Sequence, residues 1–158
     1  MSNVVTSHER PGVYSAYEAS AVVTSASRRG WAAVAARSQG GTPGTVYPLN
    51  SWREAVETFG QEDPLTRLVQ VLMANGAGRV LAVPVGEDAA YSAAFALLGQ
   101  EEGVRVVVCD SEDLTVQQAL RDQVLADAAG RRERIAVVPG GAAENVSQLV
   151  TRAQGLNS

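Results

Sequence analysis

The chain contains no lysine: all thirteen of its basic residues are arginine. A Walker A loop places a lysine on the nucleotide phosphates and a Schiff-base enzyme needs a lysine amine, so both classes are excluded. A two-component receiver domain, which uses a lysine beside its acidic pocket, is excluded on the same ground. Histidine occurs once, as His8, in a polar segment ahead of any periodic pattern. Ser7 and His8 make no triad, because there is neither a third group nor a rigid scaffold. Cysteine also occurs once, as Cys109, which rules out an internal disulfide and fits a reducing compartment. No apolar run reaches the ~18 residues of a membrane-spanning helix. The first residues, Met1 to His8, have neither the basic nor the apolar region of a signal peptide. A net charge of −4 argues against binding nucleic acid through its phosphates.

What is present is a chain of 158 residues, enough for one domain with a core and additional arms. Residues 1–12 carry no helical period and end in Pro11-Gly12, which predicts an extended arm. Residues 13–17 and 21–24 have strand-like composition. Residues 31–37, Trp-Ala-Ala-Val-Ala-Ala-Arg, suit a buried strand, and the glycine-rich residues 39–47 a loop. Ser51 and Glu54 then form a capping box, with Trp52, Ala55, Val56 and Phe59 on one helix face and Gly60 as the stop. Asp63 caps the next helix with Pro64 at its first position. Leu65, Leu68, Val69, Leu72 and Met73 make its buried stripe, and Asn75-Gly76 ends it.

From there strands and helices alternate. Strands are predicted at residues 80–85, 104–108 and 135–138, and helices at 88–98, 114–129 and 142–153. The last helix is expected to bury Val146, Leu149, Val150 and Ala153. Continuously apolar strands separated by helices imply an α/β fold: a mostly parallel open sheet with helices on both faces and right-handed crossovers.

Candidate sites are few, and each has an ordinary structural explanation. Gly140-Gly141 lies between a strand and a helix, where a phosphate-binding turn would be, but the GxGxxG spacing is absent. Glu87 and Asp88 follow one strand, and Asp110, Glu112 and Asp113 follow the next. If those strands are neighbours, the carboxylates converge at the sheet edge and suit magnesium; otherwise they are helix caps. Cys109, at a strand end with acidic neighbours, reads as a small apolar side chain rather than a nucleophile. Arg28-Arg29 and Arg131-Arg132-Glu133-Arg134 read as local basic clusters, the second near a helix C-terminus. Residues 3–6, Asn-Val-Val-Thr, have the β propensity to add a strand to a neighbour's sheet edge.

Three stretches carry a resemblance. They are Arg10-Pro-Gly-Val-Tyr14, the run from Gly41 through Pro43, Trp52 and Phe59 to Gly60, and residues 68–85 with Asn75-Gly-Ala-Gly78 at their centre. In this order and spacing they resemble the tail sheath proteins of contractile phages and related injection particles, over roughly residues 10–85. The resemblance implies a structural subunit, not an enzyme, with no cofactor and no metal. It implies assembly with neighbouring sheath subunits around a tail tube, in a virion tail or phage-derived particle put together in the bacterial cytoplasm. Neither nucleic acid nor membrane is an implied partner. The subunit-linking residues would be Val4, Val5, Thr6, Arg10, Pro11, Gly12, Val13 and Tyr14. Residues 1–12 would then be a tether and 13–158 a sheath-like α/β domain, without the family's further domain that contacts the tube. The alternative is a small Rossmann-like domain that binds a ligand or nucleotide.

Overall fold

The structure is a computed structural model that describes residues 30–157. The expected arm, the strand-like residues 13–17 and 21–24, His8, Arg28-Arg29 and the subunit-linking residues Val4 to Tyr14 lie outside the described residues.

Strand β1 (Trp31–Arg37) opens the body, with Ala32 to Ala36 all buried. Ala32, Val34 and Ala36 enter one core, and Ala33 and Ala35 the other. Alanine is a poor strand former, yet here small side chains suit a central strand that has helices packed on both sides. Then follow β2 (Tyr47–Leu49), α1 (Trp52–Phe59), α2 (Pro64–Ala74) and β3 (Arg79–Val85). A short 3₁₀ turn at Asp88–Ala90 leads into α3 (Tyr91–Gly99). The chain continues through β4 (Val104–Cys109), α4 (Leu114–Ala129), β5 (Ile135–Val137) and α5 (Val146–Asn157).

The five strands lie in the order β2-β3-β1-β4-β5. All neighbours run parallel except β2, which pairs antiparallel with β3. The protein is therefore α/β, with a mostly parallel sheet. Helices α1 and α2 bring Ala55, Phe59, Leu65 and Val69 onto one face, against Val34 and Val80. Helices α3 and α4 bring Tyr91, Phe95, Leu98, Val116 and Leu120 onto the other, against Leu81, Val83 and Val107.

Helix starts follow the local chemistry. The Glu54 N–H donates to Ser51 Oγ at 3.3 Å, and Glu54 Oε2 accepts from the Asn50 N–H at 2.9 Å. Asp63 Oδ1 accepts from the Leu65 N–H at 2.9 Å, and Asp113 Oδ1 from Thr115 at 2.7 Å. Gly60, at φ 100°, turns the chain out of α1 in a conformation that disfavours other residues.

Four features differ from expectation. Strand β2 begins at Tyr47, the last residue of the segment that reads as loop, and runs to Leu49, where no element is expected. At three residues with Pro48 in the middle it has almost no local signal, and only its pairing with β3 makes it a strand. As an edge strand it tolerates proline. In α2, Leu65 and Val69 are fully buried, but Leu68, Leu72 and Met73 only partly. Helix α5 starts at Val146 rather than 142, and none of its residues is buried. Val146, Leu149 and Val150 are 77%, 38% and 51% exposed, and Ala153 is exposed too, because α5 packs along α4 instead of on the sheet. Finally, among the described residues β5 is covered on one face only, and Ile135 and Val137 are exposed.

Candidate functional site

Strand β1 is the point where the connections divide. Its route to β3 passes through α1 and α2 on one face, while the route from β3 to β4 passes through α3 on the other. Open α/β sheets bind ligands beside the carboxyl ends of strands at such a point. Here those ends bring together Arg37 of β1, Gly86 and Asp88 after β3, Tyr91 of α3, and Asp110 after β4.

The convergence of carboxylates into an ion site required β3 and β4 to be neighbours, and that condition is not met. Strands β3 and β4 are not neighbours, because β1 lies between them. Arg37 stands in the gap. Its guanidinium donates to Asp88 Oδ1 at 2.7 Å and to the Gly86 carbonyl, while its backbone N–H donates to Asp110 Oδ2 at 3.0 Å. The other Asp110 oxygen accepts from the Tyr91 hydroxyl at 2.5 Å. Burial first, and then the bond to the Asp110 carboxylate, push the Tyr91 phenol far above its ordinary range. Tyr91 is therefore a fixed donor at neutral pH. The hydrogen bond to Asp88 is the main cause that raises the Arg37 guanidinium above its ordinary value. Glu87 begins the 3₁₀ turn without a side-chain cap, and Asp113 caps α4. Among the described residues, no group of three or more His, Cys, Asp or Glu side chains is gathered as a metal site.

A cleft of about 760 Å³ opens beside Arg37, between the residues that follow β1 and the α1–α2 turn. Its lining includes Gln39, Phe59, Glu62 and the buried Asp63. Asp63 holds the two walls together. Its Oδ2 accepts from the Ser38 hydroxyl and the Gln39 N–H, both at 3.0 Å, while Oδ1 caps α2. Gly40 fits there because a Cβ would come within 2.5 Å of the Phe59 backbone. The sequence marks Asp63 as a cap only. Its second role depends on residues 24 and 25 positions away, for which no local pattern exists.

Comparison with protein-family models and with curated proteins finds no match for this chain. What the site can do rests on its own geometry.

The remaining candidates resolve as parts of the scaffold. Gly140-Gly141 lies ahead of the helix rather than at its start. The Gly141 N–H donates to Glu144 Oε2 at 2.9 Å, so a carboxylate of the chain itself takes the position an anion would need. Glu112 Oε1 accepts from the Ala142 N–H at 3.4 Å. Glu144 is in turn held by Arg152 at 2.6 Å, chiefly through this hydrogen bond, which lowers its carboxyl below the ordinary value. Helix α5 begins with a second capping box. The Gln148 N–H donates to Asn145 Oδ1 at 3.0 Å, and Gln148 Oε1 accepts from the Asn145 N–H at 2.9 Å. The Asn-x-x-Gln spacing was the signal that places this helix start correctly.

Cys109 is buried, and its thiol is pushed up to about 11 mainly by that burial. It is a packing residue at neutral pH. Of the basic cluster at 131–134, Arg131 and Arg132 are exposed, whereas Arg134 is buried. Arg134 pairs with the buried Asp127 at 3.2 Å and donates to the Leu98 and Glu101 carbonyls at 2.7 and 2.6 Å. From just ahead of β5 it thus caps the C-terminus of α3, while its ion pair holds it to the last turn of α4, the helix next to it in sequence.

Proposed function

We propose that this chain is a structural subunit of a contractile tail sheath, acting through contacts with neighbouring subunits and without catalysis. The observation that carries this reading is the outward face of α5. Val146, Leu149 and Val150 stand at i, i+3 and i+4, all exposed, and the helix is fixed to the body through polar groups. Arg152 donates to the Glu112 carbonyl at 2.6 Å and Gln118 to the Gly155 carbonyl at 3.1 Å. An amphipathic helix whose apolar side points outward suits a groove on another chain. Two further features support the reading. Residues 41–60 and 68–85, which carry the sheath resemblance, pack as one unit, with Tyr47 pairing Ala82 and stacking edge-on to Phe59 at 5.3 Å. The polar groups at the carboxyl edge of the sheet are also tied to the chain's own backbone and side chains.

In this role each subunit is a rigid α/β body, and contraction draws its energy from subunit contacts that improve as the sheath shortens. The partners are neighbouring sheath subunits and, beneath them, the tube; the place is the tail of a virion or phage-derived particle. The test is quantitative mass spectrometry of contractile particles purified from bacteria that express the chain. Peptides from residues 30–157 are expected in many copies per particle, in constant ratio to the tube protein. Their confinement to the particle-free fraction would refute the proposal.

One observation favours a second reading, a small ligand-binding domain: the cleft beside Arg37 has the volume of a small-molecule pocket. A thermal-shift screen with nucleotides and small anions discriminates, since a ligand that binds only the folded state raises its apparent stability.

A further inference from the structure

Among the described residues, the face that carries α1 and α2 is only half covered. Register places Val106 and Val108 of β4, and Ile135 and Val137 of β5, on the same side as Ala32 and Val34. Ala32 and Val34 are buried in the core beneath α1 and α2. Those helices pack over β1, β2 and β3, while α4 meets β5 from the opposite side. Along the open half, exposure rises from the partly buried Val106 and Val108 to Ile135 at 66% and Val137 at 46%. Aliphatic surface left in water forgoes the free energy gained by burying it.

We propose that residues 17–24 of the chain's own N-terminal segment cover this face. Their sequence, Tyr-Glu-Ala-Ser-Ala-Val-Val-Thr, supplies Tyr17, Ala21, Val22 and Val23 with a single charge, Glu18. The point of attachment lies in the right place. The chain enters β1 at Gly30, where a Cβ would be 3.3 Å from Cγ of Arg105. Arg105 is the extra residue of an irregularity in β4, where pairing steps from Trp31–Val104 to Ala32–Val106. The segment therefore joins the body beside β4, at the border of the uncovered half. Adjacent strands are ~4.8 Å apart, so β5 lies roughly 10 Å from β1. Residues 25–29 span up to about 17 Å when extended, enough to bring residue 24 over either β4 or β5. So short a tether holds the segment at an effective concentration in the millimolar range, which favours it over a second copy or a foreign partner. This inference does not rest on the sheath reading, and it leaves residues 1–14 for contacts with neighbours.

Photo-crosslinking of the full chain tests it. With p-benzoylphenylalanine in place of Ile135, irradiation at low micromolar concentration is expected to give a product of monomer mass, linked within residues 17–24. A link to a second chain, a link elsewhere in the body, or no link would overturn the proposal. A second measurement avoids the bulky residue at the edge strand. Deleting residues 1–24 is expected to raise anilinonaphthalene sulfonate fluorescence several-fold and to speed hydrogen exchange of residues 135–137 at least tenfold. Unchanged fluorescence and exchange would count against it equally. Both readouts concern the isolated chain, so their failure is distinct from absence of the chain from contractile particles.

Discussion

Replacing Asp63 with alanine tests whether the carboxyl edge of the sheet is held by one buried side chain. Asp63 makes two kinds of contact. It caps α2 through Leu65, and it ties the residues after β1 to that helix through Ser38 and Gln39. Losing an N-cap costs about 0.5–2 kcal/mol. A hydrogen bond to a charged acceptor contributes about 1.5–3 kcal/mol, and the Gln39 amide would lose its partner. The Ser38 hydroxyl adds less, because it also lies 3.0 Å from the Gly40 carbonyl and can turn toward it. Asp63→Ala should therefore destabilise by about 2–5 kcal/mol. Asp113→Ala is the control. Asp113 caps α4 by the same chemistry at an exposed site, without the second contact, and its loss should cost about 0.5–2 kcal/mol. Asp63→Asn keeps an acceptor for the cap but turns an amide toward two donors, so it should fall nearer the alanine variant. Urea unfolding, followed by the fluorescence of Trp31 and Trp52, measures all three, and an unchanged denaturant slope licenses the comparison. Equal losses for Asp63→Ala and Asp113→Ala would refute the argument, because the link between β1 and α2 would then contribute nothing.

Leu65→Ala, at a fully buried position of α2, should cost about 2–5 kcal/mol, whereas Val71→Ala on its exposed side should stay within about 0.5 kcal/mol in the same assay. Cys109 should resist alkylation in the native protein at pH 8 and react at once when unfolded. Its thiol pKa is raised from 9.0 to about 11 on folding, so between those values the unfolded chain binds fewer protons and stability should fall as pH rises; Cys109→Ala should flatten that slope. For Glu144 the sign is opposite. Its lowered pKa gives a contribution present above the ordinary carboxyl value of 4.5 and lost on acidification through the folded value. Nuclear magnetic resonance should therefore show α5 amides shifting toward random-coil values in acid before those of the sheet, and Arg152→Ala should produce the same change at neutral pH.

Local chemistry made much of the fold legible in advance. The capping box at Ser51, the caps at Asp63 and Asp113, and the apolar runs that became β1, β3 and β4 act over a few residues and leave a pattern that can be counted. The α/β class followed from their alternation. What could not be read was whatever depends on which strands become neighbours. Glu87, Asp88 and Asp110 look alike in sequence as a cluster, yet β1 separates their strands and Arg37 takes the space between them. Tyr47 to Leu49 became a strand only because β3 lies beside it. Val146, Leu149 and Val150 have the spacing of a buried stripe, but periodicity records that a helix has an apolar side, not that a surface is there to receive it. On this chain α4 already covers β5 from that side, and the stripe of α5 is left facing out. Caps and periods are fixed by residues within a turn of one another, whereas strand order and the partners of a helix face are decided by packing between segments far apart in the chain.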